Sequence, residues 1–293
     1  MRSKLLFLTI LLLIQLLIQG AHAADPGAAR DGFFKTSDGI RLHYLEAGSG
    51  PSIVFEPGWS MPAWIWDPQI RHFAEHYHVI ALDPRSQGDS DKPSSGNYPA
   101  RRAQDIKELI EHLNLGPVVL VGWSLGVPEL LTYAEHYGGS AVRAYVLVDG
   151  FAWDRLDPQF VTAMLGMYQR LETDRRDFTE KFVRSMYKKP QPEEFIARLV
   201  EASLRMPTDS AIAASVGSIS RADWRPAIAN LDRPVLVMCE TALKTMAADL
   251  VASTVPGTRV ELFDDAGHAL FVDDAAHFNA VLDDFLQHLA KKE

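Results

Sequence analysis

The sequence has little of what marks disulfide-stabilised or nucleic-acid-binding proteins. It holds a single cysteine, Cys239, in 293 residues, so no internal disulfide can form and stability must come from a buried core. Acidic residues outnumber basic ones by 38 to 29, and the formal charge is −9, which disfavours nucleic acid and anionic membranes as partners. Internal repeats and low-complexity tracts are also lacking, so we expect one large globular domain.

The one long apolar run lies at the N-terminus and predicts an export signal. Arg2 and Lys4 precede residues 5–18, which are almost entirely apolar, and residues 21–23 have the small-x-small pattern of a signal peptidase site. Cleavage after Ala23 would release residues 24–293 from the membrane into the periplasm or the medium. An uncleaved anchor helix is the alternative, although the run is short for a bilayer span of about 20 residues.

Beyond this segment, short apolar runs alternate with longer segments of helical periodicity. The alternation predicts an α/β protein with a mostly parallel sheet and helices on both faces. Asp67 followed by proline indicates a helix N-cap. Predicted strands are residues 40–47, 53–56, 79–83, 118–121, 144–149, 235–239 and 260–263, and predicted helices include 100–113 and 276–289.

Residues 151–229 break this alternation because they contain no convincing strand. Helices are predicted at residues 158–172, 178–187 and 193–206. We interpret the segment as a helical cap inserted into a core of residues 24–150 and 230–293, folded over the strand ends where ligands bind in open α/β sheets. A separate helical domain is the alternative, but no linker rich in Pro, Gly or Ser flanks the segment.

Residues 122–126, Gly-Trp-Ser-Leu-Gly, have the G-x-S-x-G pattern of a nucleophile elbow between a predicted strand and a helix. A serine at the tip of so tight a turn leaves almost no room for side chains two residues before and after it. The helix that follows can stabilise a developing oxyanion through its unpaired N–H groups. Ser124 is therefore the candidate nucleophile; the alternative is a glycine-rich turn with an idle serine.

The order of elements, the elbow, the inserted cap and a histidine near the C-terminus resemble the α/β-hydrolase superfamily over essentially the whole mature chain. Within it, the sequence is similar to the small capped esterase, lactonase, dehalogenase and perhydrolase group. Residues 83–90 match that group's D-x-R-G-x-G-x-S turn, with Ser86 where glycine is common. The resemblance implies an α/β-hydrolase fold with an eight-stranded sheet and the cap between strands six and seven.

In this fold the loop after the last strand carries the catalytic base. His268 lies in that loop, and the preceding Gly267 would free the loop to bring the ring within hydrogen-bond reach of Ser124. His72 and His76 are four residues apart on a predicted helix and raise the question of a metal site. No third ligand is evident, and we interpret the pair as part of a solvated helix face.

The acid departs from the common pattern, in which an aspartate follows strand seven within a few residues. After residues 235–239 no aspartate occurs before Asp249. Two candidates remain: Asp149 ends the run 144–149, where the sequence resembles some dehalogenases and zearalenone-type lactonases in the position of the acid, and Glu240 ends the run 235–239. Either could orient the histidine, since the chemistry requires the geometry and not a particular strand. We favour Asp149 over Glu240.

The resemblance also implies an oxyanion hole and a pocket. One N–H would come from Leu125, directly after the nucleophile, and the other from the loop after strand three, which reads Glu-Pro-Gly-Trp-Ser. Because proline has no N–H, we expect Trp59 to be the second donor. Trp123, Trp153 and Phe151 adjoin the catalytic loops and are expected to line an aromatic pocket; ordinary core packing is the alternative.

These residues together favour acyl transfer through a covalent serine ester, with no metal or organic cofactor. The expected substrate is a carboxylic ester of an apolar or aromatic small molecule. A lactone is the second choice, and a non-catalytic small-molecule binder with the same fold is a third. Dehalogenase and epoxide hydrolase activities are disfavoured because they would require a carboxylate in place of Ser124, and peracid chemistry is a possible side activity of the same residues.

Overall fold

A computed structural model describes residues 28–150, 152–153, 157–241 and 248–291. They form an eight-stranded sheet in the order β1-β2-β4-β3-β5-β6-β7-β8. Strand β2 is antiparallel to both of its neighbours, and the remaining pairs are parallel, which confirms the predicted mostly parallel sheet. The strands are β1 Arg30–Lys35, β2 Arg41–Gly48, β3 Ser52–Glu56, β4 His78–Asp83, β5 Val118–Trp123, β6 Val142–Val148, β7 Val235–Glu240 and β8 Arg259–Phe263.

Helices follow most of the strands. A 3-10 turn, Ala63–Trp66, precedes α1 Asp67–Phe73. Asp67 is the first residue of α1 and not its cap, and the N-cap residue Trp66 makes no side-chain capping hydrogen bond, so the predicted Asp67 cap is wrong. The other helices are α2 Pro99–His112, α3 Gly126–Tyr137, α4 Pro158–Thr173, α5 Arg175–Ser185, α6 Glu193–Leu204, α7 Thr208–Ile219, α8 Arg225–Ile228, α9 Asp249–Thr254, α10 Leu270–Asp273 and α11 Ala275–Ala290.

The central strands are mostly apolar because both faces of the sheet are covered. Successive residues of a strand point to opposite faces: Ile53 and Phe55 pack with α1, α10 and α11, whereas Val54 packs with α2, α3, α8 and α9 on the other face. Cys239, in β7, is buried in this second layer. Within the described residues, no helix is long and apolar enough to cross a membrane.

Between β6 and β7 the described residues contain helices and no strand. The three predicted cap helices correspond to α4, α5 and α6, and α7 is a further helix that the sequence does not predict. Asp157 caps α4, its side chain accepting a hydrogen bond from the backbone N–H of Gln159. Helix α8 lies within the predicted cap range but packs against α3 of the core. The helices that cover the strand ends are therefore α4 to α7.

Candidate active site

The turn between β5 and α3 holds Ser124 in a left-handed backbone conformation, with φ of 55°, which is uncommon for any residue with a side chain. Its N–H donates to Val148 O at 2.9 Å. A Cβ added at Gly122 would lie 2.8 Å from Gly126 O, and one added at Gly126 would lie 2.9 Å from Glu56 O. Both glycines are therefore required by close backbone contacts, and these contacts hold Ser124 at the tip of the turn.

His268 lies between β8 and α10, as the sequence predicts, and its ring meets Ser124. The distance from His268 Nε2 to Ser124 Oγ is 2.9 Å. Trp123 donates its indole N–H to the backbone carbonyl of His268 at 2.9 Å. The role expected for Gly267 needs correction, because a Cβ there would lie 2.8 Å from Met186 O. Glycine is needed at this position for a close approach to the cap and not for loop freedom.

Asp149 is the carboxylate that contacts this histidine. Asp149 Oδ2 lies 2.7 Å from His268 Nδ1, and its side chain has no exposed surface. The other oxygen, Oδ1, accepts the backbone N–H of Glu240 at 2.8 Å. The two acid candidates thus lie side by side, but Glu240 contacts Asp149 through its backbone N–H, and Glu240 is one of the residues that line the cavity.

The loop after β3 touches the nucleophile turn. A Cβ added at Gly58 would lie 2.9 Å from Ser124 Cβ. The loop therefore packs directly against the serine, and Trp59 is the next residue of this loop. Over the part of the chain that the structure describes, neither the backbone N–H of Trp59 nor that of Leu125 donates to a protein acceptor. The Trp59 indole donates to Ala211 O of α7 at 2.7 Å, which ties this loop to the cap.

Gln87, which the sequence analysis did not single out, holds the same loop in place. Its Nε2 donates to Gly58 O at 3.1 Å and to Met61 O at 2.8 Å, and its Oε1 accepts the N–H of Ser60 at 3.1 Å. Ser86, where glycine is common, has a φ of 70°, which accounts for the glycine preference. The one sequence signal near Gln87 is the neighbouring Ser86, which stands where glycine is common in this turn.

A pair of glutamates with closely placed carboxyl groups lies beneath the turn, and no sequence pattern indicates it. Glu56 ends β3 and Glu129 is on α3, and each is 1% exposed. Arg102 donates to Glu129 Oε1 at 2.9 Å, but within the described residues no donor reaches either oxygen of Glu56 or Glu129 Oε2. Burial, followed by the neighbouring Glu129, raises the pKa of Glu56 well above its usual range. A raised pKa favours the protonated form of Glu56, whose O–H can donate to the neighbouring Glu129.

A cavity of about 320 Å³ opens over Ser124 and His268. Trp153 lies on its wall, as expected, and so does Trp59. Trp123 is buried behind His268 and does not line the cavity, which corrects that expectation. Phe151 lies outside the described residues. The remaining lining side chains are Leu125, Pro128, Phe160, Met164, Met167, Phe182, Ser185, Met186, Ser215, Ser218, Ile219 and Glu240.

Asp273, on α10, ties the loop of His268 to the cap. Its Oδ2 accepts two backbone N–H groups, from Gly267 at 2.8 Å and from Lys188 at 2.7 Å. Its Oδ1 accepts the side-chain amide of Gln191 at 2.9 Å. The predicted base is thus held from the segment of the cap that follows α5.

His72, one of the two histidines considered as metal ligands, and the cluster of His43 with two aspartates form hydrogen bonds or ion pairs within the described protein. His72 contacts Asp283 Oδ2 at 2.6 Å, so it pairs with a surface acid. His43, Asp83 and Asp89 lie together, but His43 Nδ1 is 2.7 Å from Asp83 Oδ2, which also accepts the N–H of Asp89. Their arrangement fits a structural network beneath the loop that follows β4.

The fold and these contacts define a capped α/β enzyme with a serine, a histidine and a carboxylate in contact at the strand ends. A family model for the alpha/beta hydrolase fold matches residues 51–275. The chain belongs to the α/β-hydrolase family, as the resemblance implied.

The similar proteins differ in their substrates. The chain is 29% identical over 227 residues to a 2-(acetamidomethylene)succinate hydrolase from Mesorhizobium japonicum, covering 73% of this chain and 79% of the relative. An esterase from Exiguobacterium antarcticum superposes with a TM-score of 0.81 at 24% identity, over 88% of this chain and all of that one. An enol-lactonase from Burkholderia xenovorans gives 0.75 at 20% identity, over 87% and 100%. These two structures support the fold alone.

Proposed function

We propose that this protein is a serine hydrolase that cleaves carboxylic esters of apolar or aromatic small molecules through an acyl-enzyme on Ser124. The observation that carries the proposal is the continuous contact from Ser124 Oγ to His268 Nε2, 2.9 Å, and from His268 Nδ1 to Asp149 Oδ2, 2.7 Å. A nucleophile, a base within hydrogen-bond reach and a third group that orients the base are the parts that acyl transfer requires.

In the first half of the reaction His268 takes the proton of Ser124 as the hydroxyl attacks the substrate carbonyl. Asp149 stabilises the imidazolium and fixes the ring tautomer. The N–H groups of Trp59 and Leu125, which have no acceptor within the described protein, bind the tetrahedral oxyanion. The imidazolium then protonates the leaving alcohol. In the second half His268 activates water, which releases the acid and restores Ser124.

A lactonase using the same residues is the second candidate. Its support is that Asp149 directly follows β6, the position in which the sequence resembles a lactonase group. A lactone differs from an open ester only in keeping its leaving alcohol tethered, so the mechanism is unchanged. A panel of short and long nitrophenyl esters beside several lactones measures which bond is hydrolysed faster.

Covalent labelling tests the proposed nucleophile directly. A fluorophosphonate should label the wild-type protein at Ser124 and should not label Ser124→Ala. Ser185→Ala is a matched control, because Ser185 also lines the cavity but lies outside the hydrogen-bonded group, and this variant should keep the label. Failure of the wild-type protein to react at any pH would exclude the serine mechanism and favour a ligand-binding protein.

A further inference from the structure

The wall of the cavity combines aromatic rings with one carboxylate. Trp153 and Phe160 are neighbours on it, with ring centroids 5.4 Å apart, and Trp59 and Phe182 are a second pair at 5.2 Å. Apart from His268, the one ionisable side chain among the described lining residues is Glu240. Within these residues, the cavity therefore carries negative charge and no lysine or arginine.

Within the described part of the chain, the carboxylate of Glu240 makes no hydrogen bond and no ion pair, while its backbone N–H donates to Asp149 Oδ1 at 2.8 Å. Burial, followed by the charge of Asp149, raises the pKa of Glu240, while His268 and Lys188 act in the opposite direction. The half-buried carboxylate makes no direct ion pair with a described residue, and a ligand of opposite charge would stabilise it.

Aromatic faces and a carboxylate attract the same kind of ligand. The π faces of tryptophan and phenylalanine are electronegative and bind cations, quaternary ammonium groups in particular. A carboxylate adds a full charge of the same sign. An anionic substrate would meet repulsion from the same groups.

We propose that Glu240 is a specificity-determining residue, and that the cavity takes esters carrying a cationic ammonium group in preference to neutral or anionic ones. The inference rests on the proposed ester hydrolysis at Ser124 and names the substrate class of that site. Glu240 binds the cationic group, and Trp59, Trp153 and Phe160 surround it.

Isosteric substrates separate charge from shape. Butyrylcholine and 3,3-dimethylbutyl butyrate differ only in nitrogen against carbon in the alcohol half. Phenyl 4-(trimethylammonio)butyrate and phenyl 5,5-dimethylhexanoate differ likewise in the acyl half. For the wild-type protein we expect kcat/KM to be at least about tenfold higher for the cationic member of one pair, and Glu240→Gln should remove most of that ratio.

The ratio of kcat/KM between the cationic and the neutral ester also tests a control variant and identifies the results that would contradict the proposal. Asp265→Asn removes a charge from an exposed position, 77% accessible, in the loop that carries His268, and it should keep the preference. A wild-type ratio near one in both pairs would overturn the proposal. So would a Glu240→Gln variant that loses cationic and neutral esters by the same factor, which would indicate that Glu240 acts on His268 and not on the substrate.

Binding without hydrolysis keeps this inference separate from the proposed function. Calorimetry of Ser124→Ala with butyrylcholine should show binding at least about tenfold tighter than in Ser124→Ala/Glu240→Gln. Equal binding by the two variants would overturn the role of Glu240 even if esters are hydrolysed. Tighter binding to the former, with no wild-type ester hydrolysis, would support the cationic site and contradict the hydrolase.

Discussion

Two residues of the candidate active site have strained backbone conformations. Ser124 and Asp149 both have positive φ, 55° and 42°, and such conformations typically cost about 1–3 kcal/mol each. Surrounding contacts compensate for this strain: the N–H of Asp149 donates to Met238 O at 2.8 Å. A Cβ at the next residue, Gly150, would lie 2.2 Å from a methyl carbon of Val127, so the Asp-Gly pair parallels the glycines around Ser124.

The sequence identified Ser124 and His268 as candidates because each lies in a short pattern at a fixed place in the order of elements. It favoured Asp149 over Glu240 through the resemblance alone, because order along the chain does not give distances between strand ends. Glu56 and Gln87 were missed for a different reason. Glu56 ends β3 and Gln87 lies in the loop after β4, and the role of each depends on partners far away in the chain.

At the residue scale, we predict that Asp149→Asn lowers kcat by about 10⁴-fold while leaving the fold intact. The amide cannot stabilise the imidazolium and favours the wrong tautomer of His268. Steady-state kinetics and circular dichroism measure the two effects. Near-normal turnover in Asp149→Asn, together with loss of turnover in Glu240→Gln, would reverse the assignment of the acid.

At the scale of elements, strands β2 to β8 were predictable from the sequence and the edge strand β1 was not. Strand β1 was missed because most of its residues are exposed at the edge of the sheet, so it lacks an apolar run. Helix α7 was missed because its sequence, rich in Ala and Ser, gives no strong apolar stripe. It is nevertheless the helix that accepts the indole hydrogen bond of Trp59, so the missed element contacts the site.

Glu56 at the end of β3, buried beside Glu129 of α3, makes the free energy of unfolding depend on pH. Native Glu56 keeps its proton at a pH where the unfolded chain, with an ordinary pKa of about 4.3, has released it. The contribution of this proton to the free energy of unfolding is therefore fully present below the pKa of the unfolded chain. As pH rises, this contribution falls by about 1.4 kcal/mol per pH unit until the raised native pKa is passed. Glu56→Gln cannot titrate and should be free of this loss.

Thermal melts from pH 5 to pH 8 check this expectation. The Tm of Glu56→Gln should rise relative to that of the wild-type protein as pH increases, by about 2–4 °C for each kcal/mol. Glu111→Gln is the control, because Glu111 is an exposed carboxylate on α2 with 60% accessibility, and its Tm should follow the wild type. A constant difference between Glu56→Gln and wild type across the range would contradict a protonated Glu56.

At the scale of the whole molecule, the order of core, cap and core was predictable from the loss of strand pattern after residue 150. The hydrogen bonds between cap and core could not be predicted, because they join residues distant in the chain. Asp273 holds both Gly267 of the core and Lys188 of the cap segment. Trp59 adds a second connection through Ala211.

Export is a prediction for the whole chain, since residues 1–27 lie outside the described part. We propose cleavage after Ala23. In a bacterial host, N-terminal sequencing of the periplasmic or secreted protein should begin at Ala24, and large side chains placed at Ala21 and Ala23 should prevent cleavage. Recovery of the protein with an intact Met1 would contradict the proposal.

The hydrogen bonds of the cap divide it into two parts for protein engineering. Segment 186–191 holds the loop of His268, and α7 holds the loop of Trp59. Helix α4 differs: in the described chain its hydrogen bonds stay within the cap, although it supplies Phe160, Met164 and Met167 to the cavity wall. A library confined to these three positions would therefore vary the shape of the cavity while leaving the bonds that hold the catalytic loops in place.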